Sequence, residues 1–500
     1  MYVNLPFQSI RLLASLLFLP FSILYFILGY PYGGAVLLIA LIPLGIVVHR
    51  VYSYKRFIDT KFAGVVGDLS QFSVYTRSLP GYRFVNIFNA TSKIALKSAA
   101  ISFESQHIEP LTNILSGEFY QEQNRYQRPP ENRSRAVDSG KEMYLPIDCF
   151  WLVPEVSASS CGIFRVRTIE HTNEVLIEIA ASNGDDANTT IASILELASA
   201  ESIFKNKTIS VSFEPEVRDE YGGVETRERI DPIFISQPKV TDSDIIIDDD
   251  TQSVIGRTII DFHERRTQLA ALKIPARRGV LFYGPPGTGK TYMSRYISDR
   301  LHNTTTIVSS GQSLLHIRSV CNLARMLQPS IIVLEDVDLV YSSREINFNN
   351  TALGELMNEL DGFNPTDEII FILTTNSIDR VEAAIKERPG RISQCIYFGP
   401  PTADLRKRYL STLINSYSIE SLQLDEVVEK TAGTTQAFLK EMVFRAVQIA
   451  SESESVDRPD LLRLSNSHFD DAITEMRQSA GNAGEAIIGF SAKRLSTIGS

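Results

Sequence analysis

Gly284-Pro285-Pro286-Gly287-Thr288-Gly289-Lys290-Thr291 follows directly on the apolar run Gly279-Val280-Leu281-Phe282-Tyr283 and leads into a helical pattern through Tyr292, Tyr296 and Ile297. The octapeptide matches G-x-x-x-x-G-K-[ST], and the strand, turn and helix around it make the match specific. A buried strand feeding such a turn commits this part of the chain to an α/β fold with a parallel sheet. The glycines allow backbone N–H groups to close around phosphate oxygens. Lys290 reaches the β- and γ-phosphates, Thr291 offers a hydroxyl to Mg²⁺, and the helix N-terminus adds its own positive end. ATP with Mg²⁺ is the ligand expected here. A chance glycine-rich loop is the bland alternative, and the flanking elements argue against it.

Further on, Ile331-Ile332-Val333-Leu334 ends in Glu335-Asp336. A buried strand ending in two acids suits a phosphate-loop protein, where one acid holds the Mg²⁺ shell and the other polarises the attacking water. Ile369-Ile370-Phe371-Ile372-Leu373 runs into Thr374-Thr375-Asn376, a polar cluster at another strand's carboxyl end, the edge where open parallel sheets bind ligands. Arg388-Pro389-Gly390-Arg391 places two guanidiniums on a rigid turn. Ordinary surface ion pairs are the structural alternative for these arginines.

With these elements the segment from Val254 to about Met476 resembles the AAA family of P-loop ATPases. Leu356-Met357-Asn358-Glu359-Leu360-Asp361-Gly362-Phe363 is similar to the family's helix after the acidic strand, and Thr431-Ala432-Gly433-Thr434-Thr435-Gln436-Ala437-Phe438 loosely resembles the start of its third lid helix. The resemblance implies a five-stranded parallel sheet with a helical lid, working as a ring that is usually hexameric. It also implies that Asn376 is the sensor asparagine and that Arg388 and Arg391 are arginine fingers completing a neighbouring subunit's site. By position Glu335 corresponds to the Mg²⁺-shell acid, beside Thr291, and Asp336 to the water-polarising one. The alternative is that the strand end shifts and Glu335 acts as the base.

Three departures from the family pattern stand out. The acids run Glu-Asp where most of the family has Asp-Glu. The segment Val381 to Arg391 is one residue longer than usual. After Ser310-Gly311-Gln312-Ser313-Leu314-Leu315 the chain goes straight to His316-Ile317-Arg318, without the aromatic-hydrophobic-glycine loop that threads unfolded chains. A threading unfoldase is therefore disfavoured.

At the other end, Leu12 to Val48 runs 37 residues without a formal charge. A spanning helix needs about 20 apolar residues, so this stretch suffices for nearly two. Gly29-Tyr30-Pro31-Tyr32-Gly33-Gly34 divides it with turn formers, Arg11 precedes it, and Arg50, Lys55 and Arg56 follow it. The positive-inside rule then puts both ends on the cytoplasmic or matrix side of a two-helix hairpin, with a single span as the alternative. A cleaved signal peptide fits poorly, because Tyr25-Phe26-Ile27-Leu28 is bulky where a small-x-small site belongs.

The expected organisation is a membrane anchor over 1–56, an α+β middle domain over 57–213 with a flexible loop at 121–141, an acidic linker over 214–250, a nucleotide-binding core over 251–400, a helical lid over 401–478 and a flexible tail over 479–500. Within the middle domain, Gly162–Arg167 and Val175–Ile179 alternate as strands do, Thr189–Phe204 has helical spacing, and Thr208–Phe213 is strand-like. That domain holds no recognisable catalytic constellation. Lysine and arginine number 49 against 59 acids, a net charge of −10, so no overall basic footprint for nucleic acid exists and none is expected as partner. Cys149, Cys161, Cys321 and Cys395 form no C-x-x-C pair and read as buried thiols in a reducing compartment.

The whole reads as a membrane-anchored ATPase that hydrolyses ATP to remodel or translocate an unknown protein client, in a ring with copies of itself. A nucleotide-dependent membrane scaffold or switch with little turnover is the alternative. The architecture is similar to that of the mitochondrial AAA translocases of the Rieske protein, apart from the double span. A membrane-bound AAA protease fits poorly: His263-Glu264 is followed by Arg265-Arg266-Thr267 rather than completing His-Glu-x-x-His, and few residues follow the lid.

Overall fold

The computed structural model describes residues 62, 64–104, 110–116, 131–154, 160–169, 172–214, 217–218, 224–226, 229–338, 355–356, 358–364, 366–379, 392–419, 422–453 and 458–484. The expected anchor over 1–56 lies outside the described residues. Among those described, no helix is long and apolar enough to cross a membrane. The chain divides into two compact units, one running to Ile203 with Glu214–Arg229, the other made of Phe204–Phe213 and the residues from Ile230 onward.

The first unit is built on an antiparallel sheet. Its strands are β1 (Ser73–Pro80), β2 (Ile101–Glu104), β5 (Asp148–Leu152), β6 (Cys161–Ile169) and β7 (Glu174–Ala181), in the order β1-β7-β6-β5-β2. The alternation at Gly162–Arg167 and Val175–Ile179 becomes the β6–β7 pair, with Val166 opposite Ile177. One face packs on the helices Phe84–Lys97 and Gly184–Ala200 through Ile87, Trp151, Ile177 and Ile194. The other packs on Phe62, Leu111 and Ile114 through Phe150 and Ile163. Both faces are covered, so the central strands are buried along nearly their whole length.

Arg165, wholly buried on β6, grips Asp148 of β5 through two bonds, at 2.8 and 2.9 Å, and Glu178 of β7 at 2.9 Å. Arg167 adds a 3.0 Å bond to Glu178, whose other oxygen accepts the Leu111 N–H at 2.9 Å. Buried charges are tolerable only when paired and saturated with hydrogen bonds in this way. The expected flexible loop at 121–141 is corrected over its second part. Asn132–Asp138 (β3) and Lys141–Pro146 (β4) pair as a hairpin around Ser139 and Gly140, while 121–130 lie outside the described residues.

The second unit holds a seven-stranded sheet, not the expected five. The five are β12 (Arg278–Tyr283), β13 (Thr305–Ser310), β14 (Ser330–Glu335), β15 (Ile369–Thr375) and β16 (Gln394–Tyr397), in the order β13-β14-β15-β12-β16 and all parallel. Beside β13 lie β8 (Thr208–Glu214), parallel to it, and then the outermost β11 (Arg229–Phe234). Between these two in sequence, Val217–Arg218 (β9) and Val224–Thr226 (β10) make a small hairpin. The expected boundary at 213 therefore falls in the wrong place. Thr208–Phe213 is a strand, but its buried Ile209 and Val211 belong to the seven-stranded sheet beside β13. An unpaired β13 edge would expose a row of N–H and C=O groups, and β8 covers it. Phe213 then stacks on His316 at 4.2 Å between ring centroids.

The acidic linker is corrected likewise. Besides β11, it supplies Asp248 as N-cap to the helix Asp249–Ile255, where the Asp248 carboxylate accepts the Thr251 N–H at 2.8 Å. Acids at a helix N-terminus complement its dipole, which explains a run that reads as merely solvated. Four lid helices follow: Ala403–Ile414, Leu424–Lys430, Gln436–Ser453 and Asn466–Gly484. They share a core that includes Leu410, Phe438, Met442, Phe469 and Ile473. The last helix continues into the segment expected to be a flexible tail. Cys149, Cys161 and Cys321 are buried, but Cys395 is exposed, contrary to expectation.

Candidate nucleotide-binding site

β12 lies where the strand order reverses: β13, β14 and β15 fall on one side of it and β16 on the other. The carboxyl edge at such a switch point is where open α/β sheets form a crevice, and the turn Gly284–Gly289 leaves β12 there. Two of its glycines are required by geometry. At Gly284 (φ +145°) a Cβ would lie 2.0 Å from the Phe398 carbonyl oxygen; at Gly287 (φ +77°) it would lie 2.7 Å from the Ala437 Cβ. Pro285 and Pro286 complete the outer curve, and the Thr288 hydroxyl ties the turn by donating to Pro285 O at 2.9 Å. Gly289 then opens the helix Lys290–Arg300.

Lys290 is buried, and its ammonium donates to Gly284 O at 2.9 Å and Pro285 O at 2.8 Å. Burial pulls its pKa below the ordinary lysine value, while the charges of Asp336 and Asp338 work in the opposite sense. Thr291, on the next position, lies near Glu335 at the end of β14. Burial raises the Glu335 carboxyl above its usual range; the nearby Thr291 hydroxyl works in the opposite sense and the neighbouring Asp336 charge raises it again. A hydroxyl near a half-buried carboxylate, beside a second acid, forms a donor set of hard oxygens suited to Mg²⁺.

Asp336 sits just past the strand in a left-handed conformation, φ +49°. Its N–H donates to the Thr374 hydroxyl at 3.0 Å, and its carboxylate accepts the Asn376 side-chain amide at 3.0 Å. The sequence-predicted Lys290, Thr291, Glu335, Asp336 and Asn376 thus gather at one sheet edge. Arg388 and Arg391 lie outside the described residues.

Asp338 escaped the sequence reading. Buried at 4% exposure, it accepts the Thr375 hydroxyl at 2.8 Å and the Asn376 N–H at 3.1 Å, fixing the segment that carries the Asn376 amide. Its signal was the spacing Glu335-Asp336-Val337-Asp338, a third acid at the same strand end. Also unforeseen is a cavity of about 460 Å³ beside Thr288, lined among others by Ile247, Asp248, Phe398, Pro400 and Gln436. The lid touches the phosphate turn directly, since the Ala437 N–H donates to Gly287 O at 3.0 Å. His263, by contrast, is buried against the Thr304 hydroxyl at 3.0 Å, and burial pushes its pKa down to about 4.

Residues 280–400 match the family described as "ATPase family associated with various cellular activities (AAA)". This segment therefore resembles the AAA ATPase domain. Over the region that includes it, the chain is 35% identical across 210 residues to the ATP-dependent zinc metalloprotease FtsH 2 of Thermoanaerobacter sp. (strain X514), covering 39% of this chain and 40% of that protein. It is 32% identical across 239 residues to the 26S proteasome regulatory subunit 8 homolog of Schizosaccharomyces pombe, covering 42% and 58%. A cell division cycle protein 48 homolog from Archaeoglobus fulgidus is 26% identical over 232 residues, covering 42% and 31%. The chain spans less than two thirds of each of these relatives. The similarity is thus to the AAA domain, and the phosphate turn, the acids on β14 and the polar end of β15 all fall within the matched segment.

Proposed function

We propose that this protein is a membrane-anchored AAA-type ATPase that hydrolyses ATP to remodel or translocate protein clients, working as a ring of identical subunits. The observation that carries the ATPase reading is the convergence of Lys290, the Thr291–Glu335 pair and the Asp336–Asn376 pair on one sheet edge. In this reading Lys290 exchanges its bonds to the turn carbonyls for phosphate oxygens. Thr291 and Glu335 would hold the Mg²⁺ shell; when bound, Mg²⁺ neutralises charge on the phosphates. Asp336, oriented by Asn376, orients and polarises the attacking water, and Arg388 and Arg391 reach the neighbouring subunit's phosphates.

Membrane anchorage rests on the uncharged stretch Leu12 to Val48. Protein remodelling is supported by relatives whose names denote a protease and a proteasome regulatory subunit. The lack of a threading loop before His316 favours folded clients or assemblies, in the manner of the Rieske-protein translocases. The test is steady-state ATP turnover by the full-length protein in native membranes, followed by crosslinking of the Asp336→Asn variant to recover its client. Continuous turnover with a specific captured protein is expected. Nucleotide binding without turnover would replace the motor with a membrane scaffold or switch.

A further inference from the structure

β8 carries the chain out of the second unit, since Glu214 at its end begins the stretch Glu214–Arg229 that belongs to the first. Because β8 runs parallel to β13, it leaves at the carboxyl edge of the sheet, the edge that also holds Glu335 and Asp336. The residue before that exit, Phe213, stacks on His316 with ring centroids 4.2 Å apart and planes at 22°. His316 closes a 3₁₀ turn, Gly311–His316, which follows β13 at the place where the threading loop is missing. Six residues are a long run for this tight geometry, and side chains brace it. Ser313, buried, accepts the Ser310 N–H at 2.9 Å and donates to Ser310 O at 2.7 Å, with Ser309 Oγ 2.8 Å from its hydroxyl. Ser310, the N-cap of this turn, lies opposite Glu335 in the β13–β14 register. A continuous series of paired, bonded and stacked residues thus runs from the acids of β14 to the point where the chain leaves for the first unit.

We propose that the turn Gly311–His316 is a transmission element that passes the state of the nucleotide site to the first unit through the Phe213–His316 stack, an assignment that rests on the ATPase reading above. Coupling needs a physical element whose arrangement both ends can bias. Filling the site changes the surroundings of Glu335, and β13 is the next strand over. A turn braced by Ser313 follows that change as one piece instead of absorbing it. The aromatic stack carries it to β8, and the chain carries it on into Glu214–Arg229. The partner of this turn is then the chain's own strand and not a client.

The full-length protein, purified in detergent, is loaded with Mg²⁺ and either ADP or a non-hydrolysable ATP analogue, and amide hydrogen exchange is read on peptides spanning residues 217–226. In wild type the exchange rates there should differ between the two nucleotides by about fivefold or more, the lower end of ordinary coupling between sites. Phe213→Ala and His316→Ala should each bring that ratio close to unity while keeping the wild-type ATP turnover. His316→Phe, which retains a ring for the stack, should preserve the ratio. A ratio near unity in a wild type that binds both nucleotides, or an undiminished ratio in either alanine variant, would overturn the assignment. So would alanine variants that lose turnover together with the ratio, since that marks damage to the nucleotide site. A wild type that binds neither nucleotide would instead overturn the ATPase reading, and this assignment with it.

Discussion

Asn376 Nδ2 donates to Asp336 Oδ1 at 3.0 Å, joining the ends of two adjacent strands, β14 and β15. Glu335, one residue earlier, lies instead near Thr291. The two acids therefore have different neighbours, and their order matches a division of labour in which Glu335 serves Mg²⁺ and Asp336 serves the water. Asp336→Asn should keep Mg·ATP binding, lose hydrolysis and accumulate an ATP-bound ring. Glu335→Gln should also weaken Mg²⁺-dependent binding. Filter binding and single-turnover assays check both; normal hydrolysis by Asp336→Asn with ATP trapped on Glu335→Gln would reverse the roles.

The left-handed backbone at Asp336, φ +49°, gives a reason for aspartate there. Asp and Asn tolerate this region better than residues with longer side chains, for which it costs roughly 1–2 kcal/mol. Asp336→Glu restores the family's more common acid but should not restore or raise activity. Its carboxylate would overshoot the Asn376 amide, and the strand end would be strained. A kcat equal to or above wild type would show that the conformation imposes no such constraint.

Asp338 holds the Thr375 hydroxyl and the Asn376 N–H, at 2.8 and 3.1 Å. Asp338→Ala removes the acceptor of both, and a buried group left unsatisfied costs about 1–3 kcal/mol. The measurable consequence should be a fall in kcat with ATP affinity largely retained, because the lysine and the phosphate turn are untouched. Asp338→Asn, keeping an acceptor oxygen, should recover part of the loss. A pure rise in KM with unchanged kcat would count against this positioning role.

Local spacing made the phosphate turn and the two acids legible, since the chemistry needs those residues in consecutive positions. The same holds for β14 and β15, whose apolar runs end in polar residues. Pairing between distant segments was not legible. The alternation of Ile209, Val211 and Phe213 says strand, but nothing local says that it joins β13 rather than the middle domain. Asp338 read as one more acid, because its meaning depends on β15 arriving beside β14. The cavity beside Thr288 was hidden for a similar reason: only the Ala437–Gly287 bond places the lid helix against the turn. Asp248–Asp250 read as a solvated charge run because capping depends on the helix that follows.

In the middle domain, Glu178 accepts from Arg165, Arg167 and the Leu111 N–H at 2.9, 3.0 and 2.9 Å. Replacing it with glutamine leaves two buried guanidiniums facing one aspartate and turns an acceptor into a donor. Breaking a buried charge pair typically destabilises by about 3–5 kcal/mol. Glu178→Gln should lower the denaturant midpoint of this unit by a corresponding amount. A midpoint within error of wild type would mean that the cluster relaxes or admits water more readily than its burial suggests.

The last prediction addresses Arg388 and the ring. In the proposed mechanism Arg388 acts on ATP bound by a neighbour, and loss of an arginine finger typically costs about 10³-fold or more in rate. Arg388→Ala rings and Lys290→Ala rings should therefore each be inactive, the first with nucleotide bound and the second without. When the two variants are mixed, an Arg388→Ala subunit retains an intact phosphate turn, and a Lys290→Ala neighbour can supply the missing guanidinium. Activity should rise with mixing and pass through a maximum at intermediate ratios. Arg391→Ala tested in the same way shows whether the second arginine shares the task. Mixtures that assemble normally, bind ATP and stay inactive at every ratio would rule out a site shared between subunits.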